Sequence, residues 1–145
     1  TADSVWLRKQ GTPAWRAWSG LAFEATCLKH VPAIKRALGI AGVETVTASW
    51  EHRGGGGGDG AQIDLVIDRA DRSTNLCEMK FSEAEFVVDK ACARELAHKR
   101  DTFRAVTGTR KALFVTLVTA HGVRANEHSR GLVAQDVTLA DLFEA

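Results

Sequence analysis

Hydrophobic and polar positions alternate along two segments in the middle of the chain. Residues 61–68 and 75–81 are rich in apolar and β-branched residues, and the polar segment 69–74 between them has the composition of a turn. Two such strands joined by a short polar loop form an antiparallel hairpin. Because the two segments carry many apolar residues, the pattern predicts two strands inside a sheet rather than at its edge.

A symmetrical pairing of this hairpin brings three charged side chains together. If the turn centres on Asp71, Asp64 lies directly opposite Glu78. Side chains alternate across a strand, so Glu78 and Lys80 share one face while Cys77 points the other way. The pairing therefore predicts a cluster of two carboxylates and one amine.

Helical periodicity and capping signals define the other elements. In chain order we predict a helix at 20–31 capped by Ser19, a short helix from Pro32 to Gly39, a strand at 43–50, a glycine-rich connector at 54–60, a long helix from about Asp89 to Val106 that ends at Gly108, strands at 111–119 and 132–137, and a small helix from Leu139 capped by Thr138 and Asp141. This order predicts an α/β (α+β mixed) fold with an αβββαβ core, in which helices flank a central mixed sheet.

Length and composition limit the class of protein. The 145 residues fit one domain, with an arm at 1–19 and the domain proper at 20–145. Hydrophobic residues make up 45%, charged residues 26%, and the net charge of +1 favours no polyanionic partner by itself. The three cysteines lack CxxC spacing, and no apolar run approaches the ~20 residues that cross a bilayer. We expect a cytoplasmic protein with reduced thiols and no membrane partner.

The acidic pair needs a partner of opposite charge. Two carboxylates opposite each other on an apolar sheet repel, and a buried pair requires a cation or a proton. Mg²⁺ is commonly held by one or two carboxylates together with water and a substrate phosphate. Beside such an ion, Lys80 would orient or deprotonate water and stabilise negative charge. The alternative is an exposed sheet face that carries an ordinary cross-strand salt bridge.

Two further charged residues fall on apolar helix faces. Glu24 shares a stripe with Cys27 and Ile34 on a helix that is apolar nearly all round, and a carboxylate there needs a partner. The alternatives are a structural ion pair and a position at the edge of the metal site. Lys99 lies in an inward seam of the long helix, formed by Cys92, Leu96, Lys99, Phe103 and Val106. It either extends to solvent or reaches the acidic cluster.

The long helix and its end are locally basic. Residues 90–111 contain seven lysines or arginines against Glu95 and Asp101. This segment would follow a phosphate backbone, with Lys90, Arg94, Arg100 and Arg104 as the nucleic-acid-binding residues. A solvated helix face, balanced by the acidic C-terminal residues, explains the same pattern.

The order of these motifs resembles the PD-(D/E)xK nuclease superfamily, whose fold is restriction-endonuclease-like. An acid on the first helix, Asp64 on the second strand and Glu78-x-Lys80 on the third strand carry the resemblance. More narrowly, segments 17–24, 60–65, 76–81 and 137–143 resemble an uncharacterised C-terminal domain attached to AAA-type ATPases. The chain has Gln62-Ile63 before Asp64, without the proline of the superfamily pattern.

The resemblance implies hydrolysis of phosphodiester bonds, most readily in DNA, with Mg²⁺ or Mn²⁺ as cofactor. It assigns the metal to Asp64, Glu78, the backbone carbonyl of Met79 and Glu24. Lys80 would position the attacking water, and Lys99 would be a supporting polar residue. The implied partners are nucleic acid, an ATPase domain in the full-length protein, and a second copy of the chain. The alternative is a catalytically silent module that binds DNA, a partner protein or the ATPase.

Overall fold

The predicted hairpin lies in the middle of a five-stranded sheet. The computed structural model describes residues 12–54 and 59–143. In chain order its elements are α1 (Pro13–Lys29), α2 (Val31–Ala37), β1 (Thr45–His52), β2 (Ala61–Arg69), β3 (Ser73–Lys80), α3 (Lys90–Thr107), β4 (Ala112–Thr119), β5 (Val133–Thr138) and α4 (Leu139–Phe143).

The strands lie in the order β1-β2-β3-β4-β5. β1, β2 and β3 pair antiparallel, whereas β3, β4 and β5 pair parallel. A parallel pair requires a long crossover, and α3 is the helix of the crossover from β3 to β4. The fold is therefore a mixed α/β fold with helices against its sheet, as the element order predicted.

The hairpin has the predicted register. Leu65 pairs with Cys77, and the ladder continues to Asp68 opposite Thr74. The strands extend further into the turn than predicted, and Arg72 closes the turn with a left-handed φ of 66°. Both strands are interior, because β1 and β4 flank them.

Apolar side chains cover both faces of the sheet. On one face, residues of α1, α2 and α4 pack against the sheet, among them Phe23, Cys27, Ile34 and Leu142. On the other face, Leu96 and Phe103 of α3 occupy two smaller clusters. Helix α3 begins with Asp89, whose side chain accepts a hydrogen bond from the Cys92 N–H, and ends at Gly108 with a left-handed φ of 66°.

Two predictions about helices were wrong. Helix α1 begins at Pro13 rather than at residue 20, and Ser19 is a buried residue inside it. Proline suits the first turn of a helix, which explains the earlier start. The prediction that this helix is buried on nearly all sides is also wrong, because Leu21 of α1 is 69% exposed. The first residues of the predicted arm, 1–11, and the predicted connector residues 55–58 lie outside the described residues.

The seam of α3 is shorter than predicted. Leu96 and Phe103 are buried, but Val106 is 47% exposed, because the helix has passed the sheet by its last turn. The capping of α4 is as predicted: the Thr138 N–H donates to Asp141 and the Asp141 N–H donates to the Thr138 hydroxyl. Within the described part of the chain, we find no helix that is both long and apolar enough to span a bilayer.

The burial of the cysteines gives a test of the fold. Cys27 and Cys77 are fully buried, and burial is the main cause that raises the pKa of Cys27 to about 12. Cys92 is half-buried. We expect Ellman's reagent at pH 8 to label only Cys92 in the native protein, and all three cysteines in denaturant. Cys92→Ser should abolish native labelling, and rapid labelling that survives this substitution would contradict the placement of α1 on the sheet.

Candidate active site

A bulge in β2 positions the first carboxylate. The register between β1 and β2 shifts so that Ser49 lies opposite two residues, Asp64 and Leu65. A bulge of this kind bends the strand and redirects its side chains. Accordingly, Ile63 packs with the α3 side of the sheet, whereas Leu65, two residues on, packs with the α1 side. Asp64 lies at the point where the strand changes face.

The two carboxylates then replace the backbone ladder. The pairing of β2 with β3 ends at Leu65 and Cys77. Beyond it, the Asp64 N–H donates to Glu78 Oε2 at 2.9 Å, and the Met79 N–H donates to Asp64 Oδ2 at 2.9 Å. Each carboxylate therefore satisfies a backbone donor of the other strand, and the two acids are held in fixed positions across the separation of the strands.

Glu78 is bound to α3 through Lys99. Its other oxygen, Oε1, accepts a hydrogen bond from Lys99 Nζ in an ion pair, and Glu95 lies 3.5 Å from the same amine. Burial lowers the pKa of Lys99, but its contacts with Glu78 outweigh this effect, and the pKa is raised. Burial and the charge of Asp64 raise the pKa of Glu78. Lys99 thus reaches the acidic cluster rather than extending to solvent.

Glu24 faces the same cluster from α1. Burial, followed by the negative charge of Asp64, raises the pKa of Glu24, and the positive charge of Lys99 partly offsets the increase. Both Asp64 and Glu24 also contribute to the raised pKa of Cys27. Glu24 makes no ion pair with a described residue, so the predicted structural ion pair is not formed. The charge of Asp64 therefore acts on Glu24 of α1 as well as on Glu78 of β3.

Lys80 ends β3 on the side of Glu78. It is half-buried, and its positive charge lowers the pKa of Cys92 on α3, against the larger effect of burial. Within residues 12–54 and 59–143 it forms no ion pair. The amine that pairs with Glu78 is Lys99 of α3, and Glu78 is buried, so the alternative of an exposed sheet face with an ordinary cross-strand salt bridge is wrong.

The donor set fits a cation held by two carboxylates. Among the described residues there is no group of three His, Cys, Asp or Glu side chains close enough to form a complete metal cage. Mg²⁺ does not require such a cage, since one or two carboxylates with water and a phosphate suffice. Burial, followed by the negative charge of Asp64, raises the pKa of both Glu24 and Glu78, and a bound cation would relieve this repulsion by Asp64. Asp64 and Glu78 would hold it together with the backbone carbonyl of Met79, and Glu24 would contribute from α1.

The basic residues of α3 lie away from this cluster. Lys90, Arg94 and Arg104 are exposed, and Lys90 is ~2.5 helical turns from Lys99, on the opposite face of the helix. Arg104 donates to the carbonyls of Thr109 and Lys111, where it caps the end of the helix. Arg100 pairs with the neighbouring Asp101. The structure therefore does not bring these four residues together with the carboxylates.

Comparisons with known proteins add little to this geometry. No family model matches the chain, and no curated protein matches it. A solved structure described as a protein of unknown function, AF1548, is similar at a TM-score of 0.44 and 19% identity. The similarity covers 72% of this chain and 53% of the other, so this chain spans about half of the length of that one.

Proposed function

We propose that this chain is a metal-dependent nuclease module that hydrolyses phosphodiester bonds, with DNA as its substrate. The observation that carries the proposal is the reciprocal bonding of Asp64 and Glu78 across the gap between β2 and β3. It fixes two acids side by side where the sheet would otherwise continue. Two further residues support the proposal: Glu24 of α1 lies within reach of the charge of Asp64, and Lys80 follows Glu78 by two residues at the end of β3.

Each residue has a distinct role in the proposal. Asp64 and Glu78 would hold Mg²⁺ or Mn²⁺ together with the carbonyl of Met79, and Glu24 would contribute through water. A bound divalent ion lowers the pKa of water and neutralises charge on a phosphoryl oxygen. Lys80 would orient the attacking water and stabilise the charge that develops on the phosphate. Lys99 would hold Glu78 in place.

DNA and an ATPase are the partners that the proposal implies. The sequence resemblance supports both, since it is to a domain attached to AAA-type ATPases. The exposed Lys90 and Arg94 would contact phosphates that lie outside the site, along the outer face of α3. Their contribution should be sensitive to salt and independent of the base sequence.

A catalytically silent binding module is the second candidate, and one observation favours it. Both oxygens of Glu78 are engaged, one by the Asp64 N–H and one by Lys99, and the residue is only 3% exposed. A cation would have to share Glu78 with these donors. In a silent module the same contacts would simply complete the packing between β2, β3 and α3.

Cleavage of DNA separates the two candidates. We expect the protein to cut plasmid DNA in Mg²⁺ or Mn²⁺, and Lys80→Met to slow cutting by at least ~100-fold, as loss of a positioned acid or base does. Lys29→Met is the matched control, because Lys29 is an exposed lysine at the far end of α1. Equal cutting by the two variants would exclude the proposed role of Lys80. Binding of DNA without cutting by the unmodified protein would favour the silent module.

A further inference from the structure

The first five residues of β1 lack the features that normally protect a sheet edge, and the one acid of the strand, Glu51, lies near its C-terminal end. β1 is the first strand in the sheet, and no described residue pairs with its outer side. Its segment 45–49 contains no charged residue and no proline, and Val46 is 71% exposed. Natural edge strands usually carry lysine or proline, or are very short. The opposite edge, β5, is shorter and presents the exposed Asp136.

We propose that β1 pairs with β1 of a second copy of this chain, antiparallel and centred on Ala48. The two five-stranded sheets would then form one continuous sheet. A two-fold axis perpendicular to the sheet keeps each face on its own side, so residues opposite each other must share a face. Val46, Ala48 and Trp50 are alternate residues of β1 and therefore share a face. The register must therefore pair Val46, Ala48 and Trp50 of one copy with residues of the same set in the second copy.

The register centred on Ala48 is complementary in shape and charge. Val46 lies opposite Trp50 of the second copy, an aromatic and β-branched pair of the kind that stabilises neighbouring strands. Glu44 lies opposite His52, which shares the face of Trp50 because the two rings stack at 6.1 Å. Glu51, the other acid of this segment, lies opposite Thr45. No two like charges face each other, and an acid meets an imidazole at each end.

A groove beside the edge extends the surface that the second copy would cover. It has a volume of about 310 Å³ and lies between β1, β2 and the end of α3. Its apolar lining includes Val46, Val66 and Phe103, and Trp50 packs edge-on against Phe103 at 5.1 Å. Pairing of the edges places the two grooves side by side. Stable interfaces bury on the order of 1,200–2,000 Å², so a pairing of one strand and its groove should be reversible.

Sedimentation measures the pairing directly. We expect the unmodified chain to associate into dimers as its concentration rises. Thr47→Lys should remain monomeric, because the lysines of the two copies would flank the axis. Thr47 is exposed, so its replacement should leave the fold unchanged. Ala134→Lys, an exposed position on the opposite edge, is the matched control and should dimerise like the unmodified chain.

Cysteine cross-linking tests the register. The two copies of residue 48 would lie directly opposite each other, within the Cα separation of ~4.4–6.8 Å that a disulfide spans. Diamide should therefore cross-link Ala48→Cys into dimers far beyond the background of the unmodified chain, and should not cross-link Ala134→Cys. A chain that is monomeric at all concentrations would overturn the proposal. So would dimers that persist in Thr47→Lys, or equal cross-linking of the two cysteine variants.

Discussion

Replacing Lys99 by methionine should destabilise the fold by about 3 kcal/mol, the usual cost of leaving a buried charge without its partner. Glu78 is nearly inaccessible, and Lys99 is the amine bonded to its Oε1. Methionine keeps the length of the side chain, so the loss would reflect charge rather than packing. Urea denaturation at pH 7 measures the difference in the free energy of unfolding.

The same variant should depend on pH in a defined direction. Burial and Asp64 already raise the pKa of Glu78 in the native protein, while Lys99 lowers it. Without Lys99 the pKa of Glu78 rises further above its unfolded value. A group with a raised native pKa stabilises the fold below its unfolded pKa and loses this contribution as the pH rises. The difference between Lys99→Met and the unmodified protein should therefore shrink as the pH falls from 7 towards 5.

A double substitution isolates the pair. Glu78→Gln removes the buried charge, so Lys99→Met combined with Glu78→Gln should recover much of the stability that Lys99→Met loses. Lys90→Met, on the exposed face of the same helix, is the control and should change stability little. If Lys99→Met unfolds at the same urea concentration as Lys90→Met, the ion pair does not hold α3 against the sheet.

Replacing Asp64 by asparagine should have opposite effects on activity and on stability. In the proposed function, the loss of one metal-holding carboxylate should slow DNA cleavage by at least ~1,000-fold, since a metal supplies several kcal/mol of charge stabilisation. The fold should become more stable, because the charge of Asp64 adds to the effect of burial in raising the pKa of Glu24 and Glu78. An asparagine oxygen can still accept the Met79 N–H.

The control for this variant lies on the same strand. Asp68 lies four residues after Asp64 on β2, and its exposed carboxylate pairs with Lys111. Asp68→Asn removes this carboxylate. It should leave cleavage unchanged and alter stability only slightly. Cleavage assays and thermal unfolding on the same preparations would compare the two variants. An Asp64→Asn protein that is both active and less stable would show that Asp64 has a structural role alone.

The sequence predicted those features that depend on local pattern and pairing. The register of the hairpin followed from the symmetry of two apolar segments about one polar turn, and Leu65 does pair with Cys77. The boundaries of α3 followed from Asp89 and Gly108, whose conformations favour helix ends. The inward position of Lys99 followed from helical spacing. Each of these signals lies within a few residues or one strand pair.

The features that were missed depend on the surrounding fold. The bulge in β2 has no local signal, because residues 61–68 form an unbroken strand pattern without the glycine or proline that often marks a bulge. Only the structure shows that Ser49 faces two residues. The helical spacing indicated that Lys99 faces inward. It did not show that Lys99, and not Lys80, is the ion-pair partner of Glu78. The helix start at Pro13 was missed because Ser19 is also a good cap.

Calorimetric titration with Mn²⁺ tests the central hypothesis, that Asp64 and Glu78 form one cation site. We predict a single saturable site in the unmodified protein, unchanged in Asp68→Asn and lost in Asp64→Asn. A protein that takes up no Mn²⁺, or an Asp64→Asn variant that binds it as tightly as the unmodified chain, would contradict the hypothesis.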